Sequence, residues 1–167
     1  VTDDEWSVVL ESVKAAIADL LAFRKQEGEA LEAKLRGNIS AITSLLASVE
    51  PYEKERVEKI RARITESLEK MVGVEYDKNR LEQELIFYIE KLDINEEKQR
   101  LTNHLKYFIE TIEGPIGQGK KLGFIAQEMG REINTLGSKS NHAEMQNIVV
   151  RMKDELEQIK EQVLNVM

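Results

Sequence analysis

GKKLGFIAQEMGREINTLGSKSN, residues Gly119 to Asn141, decides how this chain folds. Leu122, Ile125, Ala126, Met129, Ile133 and Leu136 recur at three- and four-residue steps. That spacing lines up one apolar stripe on a helix. Gln127, Glu128, Arg131, Glu132 and Asn134 crowd the faces beside it. Gly137 is expected to stop the helix, because glycine takes a left-handed C-terminal cap without steric cost. Ser138-Lys139-Ser140-Asn141 then reads as a short polar loop, with Asn141 and Glu144 at capping-box spacing for a further helix.

The same period runs through the rest of the chain. Thr2-Asp3-Asp4-Glu5 reads as a helix start, with acids at the positive end of the dipole. Trp6, Leu10, Val13, Ile17 and Leu20 form its stripe, which Arg24, Glu27 and Gly28 interrupt before it resumes at Leu31, Leu35, Ile42 and Val49. Arg24 and Glu27 fit an intrahelical ion pair, with Gly28 allowing close helix contact. They equally fit two side chains aimed into a cleft. Pro51 suits the first turn of a second helix carrying Val57, Ile60, Ile64, Leu68 and Met71, broken at Gly73. A third helix is predicted from about Asp77, with Leu81, Leu85, Tyr88 and Leu92 inward. Asp93 either caps a fourth helix or bends one long helix that ends near Glu113. Gly114 to Gly119 is the clearest loop. The last stripe, Met145, Val149, Met152, Leu156, Ile159, Val163 and Val166, has the alternating steps of a coiled-coil seam. The fold class is therefore all-α: five to six long antiparallel helices with coiled-coil-like packing. Residues 1–113 form one region, and residues 114–167 pack on it. No period-two strand pattern occurs.

Composition agrees and narrows the function. With 41% hydrophobic and 33% charged residues, two prolines and few aromatics, the chain suits helices. No run approaches the roughly 18 apolar residues of a membrane span. There is no secretory signal, and the absence of cysteine removes disulfides and thiolate metal sites, so a cytoplasmic setting is expected. A formal charge of −7 opposes generic nucleic-acid binding. Around the opening stretch, however, Lys120, Lys121, Arg131, Lys139, Arg151 and Lys153 outnumber Glu128, Glu132 and Glu144.

Three groupings could carry chemistry. On the fourth helix Asp93, Glu97, Arg100 and His104 share one face, beside the apolar row of Ile94, Leu101, Leu105, Phe108 and Ile112. Carboxylate and imidazole suit a Mn²⁺ or Mg²⁺ site, but Glu97 and His104 need help from another helix, and from the residues alone a solvated charged face is the stronger reading. Glu128 and Glu132 lie one turn apart and repel unless Arg131, a metal or a base across the groove compensates. Ser138-Lys139-Ser140 ahead of a helix N-terminus offers a phosphate seat. GPIGQGKK, at 114–121, lacks the Ser or Thr of a phosphate loop and follows a helix, so nucleotide hydrolysis is set aside. His142 reads as a surface residue in a first helical turn.

The opening stretch resembles the C-terminal signature of the YicC/YloC family of bacterial endoribonucleases. RKQEGEAL at 24–31, RLEQEL at 80–85, DINEEKQRLTNHLKYF at 93–108 and IKEQVLNV at 159–166 agree in order. Gly123 and Gly130 stand where that pattern usually has Asp and Asn. The resemblance implies metal-dependent cleavage of single-stranded RNA. Glu97, His104, Glu128 and Glu132 would hold or orient a Mn²⁺ or Mg²⁺ ion and serve catalysis. Arg24, Arg100, Lys120, Lys121, Arg131, Asn134, Ser138, Lys139 and Ser140 would contact RNA, with Glu27 in the same groove. The last seam and the Leu81–Leu92 row ask for partners, so a homo-oligomer is expected, with no membrane or DNA partner. The family carries a further N-terminal domain, so the chain is expected to be part of a longer protein. The competing reading is a non-catalytic helical scaffold that oligomerises and supports RNA binding by that domain.

Overall fold

A computed structural model describes residues 1–70 and 78–166. Within them lie six helical segments: α1 (Asp3–Ala47), α2 (Glu50–Glu69), α3 (Lys78–Leu92), α4 (Asn95–Glu113), α5 (Gly119–Lys139) and α6 (Ala143–Val163). There is no strand among the described residues. The junctions at Ser48-Val49 and Asp93-Ile94 are so short that the chain also counts as four long helices, two of them bent. Met71, Gly73 and the expected helix start at Asp77 lie outside the described residues.

Four segments make the body. The second half of α1 packs on α4 and α6, and α5 packs on the same two. Consecutive members run antiparallel: Arg36 meets Glu113 at 3.1 Å, and Asn38 meets Gln158 at 3.1 Å. One core runs through all four, with Leu35 and Ile42 from α1, Leu101 and Phe108 from α4, Met129 and Ile133 from α5, and Met152 and Ile159 from α6. The 113/114 division thus separates two segments that share one core. Every apolar position singled out in the opening stretch is buried.

Glycine shapes two places. Gly117 turns the α4–α5 loop at φ 88°, a conformation that favours glycine. Gly130 and Gly137 let α5 approach α6, since a Cβ at either would stand 3.3 Å from Leu156 or 3.1 Å from Val149.

The first half of α1 behaves differently. Thr2 caps it, its hydroxyl accepting from the Glu5 N–H while the Glu5 carboxylate accepts from the Thr2 N–H. Yet every residue from Val1 to Ala30 is exposed, including Trp6, Leu10, Val13, Ile17 and Leu20. This half projects about 40 Å beyond the bundle at 1.5 Å per residue. Gly28 has nothing within 4 Å, so no helix packs closely there. At the other end of the body α2 and α3 pair with each other, burying Ile60 and Leu85.

Candidate functional site

The polar side chains converge where α3 meets α4 and α5 meets α6. α5 continues past Gly137 to Lys139, so Ser138 and Lys139 are its last turn rather than a loop. Gly137 does not stop the helix because it packs against Val149, and Ser140 takes the cap instead. The Ser140 hydroxyl donates to the Leu136 carbonyl, and the Gln146 amide donates to the carbonyls of Gly137, at 2.7 Å, and Ser140. The Leu136 and Gly137 carbonyls left open at the helix end are therefore satisfied locally.

Arg56 of α2 reaches into this junction and is 5% exposed. It donates to the Lys139 carbonyl at 2.8 Å and to the Leu92 carbonyl at 2.7 Å. One guanidinium thus closes the C-termini of α5 and α3 together, where the helix dipoles favour a cation. Burial holds its pKa below the ordinary value, partly offset by the charges of Glu53 and Asp93.

Lys139 turns to α4. Its ammonium donates to Glu97 at 2.7 Å and to the Asp93 carbonyl at 3.1 Å. Glu97 is 4% exposed, and its second carboxylate oxygen, Oε2, has no hydrogen-bond partner. Burial pushes the Glu97 carboxyl up. The Lys139 hydrogen bond, a backbone hydrogen bond and the charges of Lys139 and Arg100 outweigh it, so the group sits below the usual carboxylate range.

From there the polar rows of α4 and α5 run side by side. Arg100 lies 3.9 Å from Glu132, and further along Lys121 stands 4.9 Å over the Tyr107 ring. That register sets half-buried His104 between these contacts, level with the turn that carries Glu128.

Among the described residues no three Asp, Glu or His side chains are placed to hold an ion. Each of these carboxylates has a cation beside it: Glu97 has Lys139, Glu132 has Arg100 at 3.9 Å, itself 3.1 Å from Glu96, and Glu128 has Arg131 at 3.8 Å. The donor set of the described residues does not fit a metal by itself.

The candidate RNA contacts separate into groups. Arg100, Ser138, Lys139 and Ser140 gather at the junction, where Lys139 and Ser140 are already engaged and the Ser138 hydroxyl donates to the Thr135 carbonyl at 2.9 Å. Lys139 and Ser140 of the Ser-Lys-Ser run are thus engaged within the fold, while Ser138 stays exposed. Lys120, Lys121, Arg131 and Asn134 are exposed along α5. Arg24 and Glu27 sit on the projecting half of α1, about 33 Å of helix from Leu46, and do not join the junction.

Some residues escaped the sequence reading. His142 is no surface residue: it is 7% exposed and caps α6 in place of Asn141. Its Nδ1 accepts from the Glu144 and Met145 N–H groups at 3.2 and 3.4 Å, and its Nε2 lies 3.3 Å from Glu55. The Tyr52 ring lies against it, with centroids 5.3 Å apart. Arg56 had a signal in sequence, since it stands on the stripe of Val49 and Ile60 at helical spacing where an apolar residue belongs.

A family model described as "Endoribonuclease YicC-like, C-terminal" matches residues 49–167. The chain is 35% identical over 165 residues to a protein of Clostridioides difficile named probable endoribonuclease YicC, covering 96% of this chain and 56% of that protein. A Haemophilus influenzae protein of the same name is 31% identical over 150 residues, covering 90% of this chain and 52% of the relative. The chain spans about half the length of these curated relatives.

Proposed function

The chain belongs to the YicC family, and from that premise we propose that it is the helical part of an endoribonuclease that cuts single-stranded RNA. The observation that supports the reading is Glu97: buried at the junction, kept ionised by Lys139, and carrying one carboxylate oxygen without a partner. Such an oxygen is an unused acceptor for the proton of an attacking hydroxyl or water that enters the junction. Lys139 is then a positioning residue, which fixes the other oxygen. Arg100, Lys120, Lys121 and Arg131 neutralise the phosphates, and His104, half-buried on the same edge, supplies a proton donor.

Dependence on Mn²⁺ or Mg²⁺ belongs to the proposal through the resemblance alone. Among the described residues no three Asp, Glu or His side chains group to hold the ion. The cytoplasm is the proposed setting; among the described residues no helix is long and apolar enough to cross a membrane.

One observation favours a second reading, a scaffold that assembles copies: the uncovered apolar face of the first half of α1. The deciding experiment is cleavage of a labelled unstructured oligoribonucleotide by this chain and by its Glu97→Gln variant, with Mn²⁺, Mg²⁺ or EDTA. The enzyme reading expects cleavage that Glu97→Gln reduces at least a hundredfold, about the scale of one acid–base group. No cleavage by the unaltered chain under any condition favours the scaffold. Cleavage untouched by EDTA removes the metal.

A further inference from the structure

Along α5, Lys120, Phe124, Gln127, Arg131, Asn134 and Ser138 follow one another at steps of four, three, four, three and four. Those steps put all six on one face of the helix, and every one of them is exposed. The face carries two cations, one aromatic ring and three uncharged hydrogen-bonding groups. It holds no carboxylate, in a chain whose net charge is −7. Glu128 and Glu132 lie on the flank toward α4, where Arg131 and Arg100 stand against them.

Phe124 is 60% exposed at the centre of the basic end of this face. More than half of the residue's surface is therefore open to a partner. Its neighbour one turn back, Lys121, stands 4.9 Å over the ring of Tyr107, itself 42% exposed. Two open aromatic rings with Lys120, Lys121 and Arg131 around them make an aromatic and cationic surface. From Lys120 to Ser138 the face extends about 27 Å, room for several nucleotides.

We propose that this face is a track for single-stranded RNA, in which Phe124 stacks on an unpaired base, Tyr107 takes a second, and Lys120 and Arg131 grip the phosphates between them. The choice of occupant follows from charge and from the rings. A duplex hides its base faces, so the two rings would gain nothing from it, whereas every unpaired base offers a π-face. The inference rests on the endoribonuclease reading and adds to it a base-stacking element.

The test uses the whole chain at low salt and two labelled probes of equal length: an oligouridylate and an abasic ribose-phosphate oligomer. Fluorescence anisotropy gives each affinity. Phe124→Leu keeps apolar bulk and loses the ring; Phe124→Trp restores a ring. The unaltered chain should bind the oligouridylate about tenfold more tightly than the abasic strand. Phe124→Leu should lose most of that preference while binding the abasic strand unchanged, and Phe124→Trp should keep it. Equal binding of both probes by the unaltered chain, weakening with salt, overturns the stacking while leaving RNA binding intact. Binding of neither probe overturns the RNA reading and this inference together. Unchanged RNA affinity in Phe124→Leu, with a smaller particle mass by light scattering, shows the face to be a contact between copies and overturns the track.

Discussion

Arg56 donates a 2.8 Å hydrogen bond to the carbonyl of Lys139, the same residue whose ammonium holds Glu97. Backbone and side chain of one residue are thereby gripped from two helices. The second Arg56 bond, to Leu92 at 2.7 Å, ties in the end of α3 as well. The position of the Glu97 carboxylate depends on a residue of α2 that never touches it.

Replacing Arg56 with Met should therefore cost about 3 kcal/mol. Two bonds from a charged donor contribute roughly 1.5–3 kcal/mol each, and the cost of burying the guanidinium returns part of that. Arg56→Lys should recover less than half, because an ammonium cannot span two carbonyls as a planar fork does. Urea unfolding followed by circular dichroism measures both variants. A loss under 1 kcal/mol in Arg56→Met would show that water replaces the guanidinium freely.

The Glu97–Lys139 pair should leave a signature in acid. Folding holds the Glu97 carboxyl below its ordinary 4.5. A carboxyl depressed in the folded state stabilises above its unfolded value, and that contribution is lost as pH falls through the folded value. The stability difference between the unaltered chain and Glu97→Gln should stay flat above about pH 5 and shrink on descending from 4.5. Glu55, held low by Lys59 and then by His142, titrates in the same direction in both proteins and cancels in the difference. A difference that stays constant down to pH 3 would mean that the pair does not form in solution.

His142 caps α6 through Nδ1. His142→Ala should cost about 1 kcal/mol, the usual loss of an N-cap, and His142→Asn should restore much of it. Amide exchange at Glu144 and Met145 reads the effect directly. If the alanine variant leaves those amides as protected as before, the imidazole is not the cap.

Much of this arrangement was legible in sequence, and the failures share a cause. The stripes of α4, α5 and α6 fix which faces meet, so the core and the adjacency of the α4 and α5 polar rows follow from period alone. Gly137 was misread because glycine permits a left-handed cap without requiring one; here its missing side chain admits Val149. A row of acids gives no sign of a cation that crosses the groove to it: the pairing of Lys139 with Glu97 is a tertiary fact spanning 42 residues of sequence. His142 reads as a surface residue in sequence because no local pattern reports that Tyr52 and Glu55, some 90 residues earlier, close over it.

The uncovered half of α1 predicts self-association. Trp6, Leu10, Val13, Ile17 and Leu20 are each 42–60% exposed along one stripe. An apolar face of this length is commonly covered by a partner. Ile17→Glu with Leu20→Glu should lower the mass measured by light scattering at high concentration and leave the bundle fold unchanged by circular dichroism. A chain already monomeric at those concentrations would remove the expectation of a homo-oligomer from this surface.

The glycines of α5 offer a test in which two effects of similar size oppose each other. Alanine in a helix interior is favoured over glycine by about 1 kcal/mol. At Gly123 an added Cβ would lie 3.9 Å from the Val163 side chain, ordinary contact, so Gly123→Ala should gain most of that. At Gly137 the Cβ would stand 3.1 Å from Val149. Valine has little freedom at χ1 on a helix, and Val149 is buried, so relief requires α6 to shift. Overpacking of this kind costs about 1–3 kcal/mol. The propensity gain should be cancelled or exceeded, leaving Gly137→Ala neutral to about 2 kcal/mol less stable. Gly130 lies between these cases, its nearest neighbour being the more adaptable Leu156 at 3.3 Å. Thermal melts of the three alanine variants should rank Gly123 above Gly130 above Gly137. The reverse order would mean that α5 and α6 do not pack at the separation seen here.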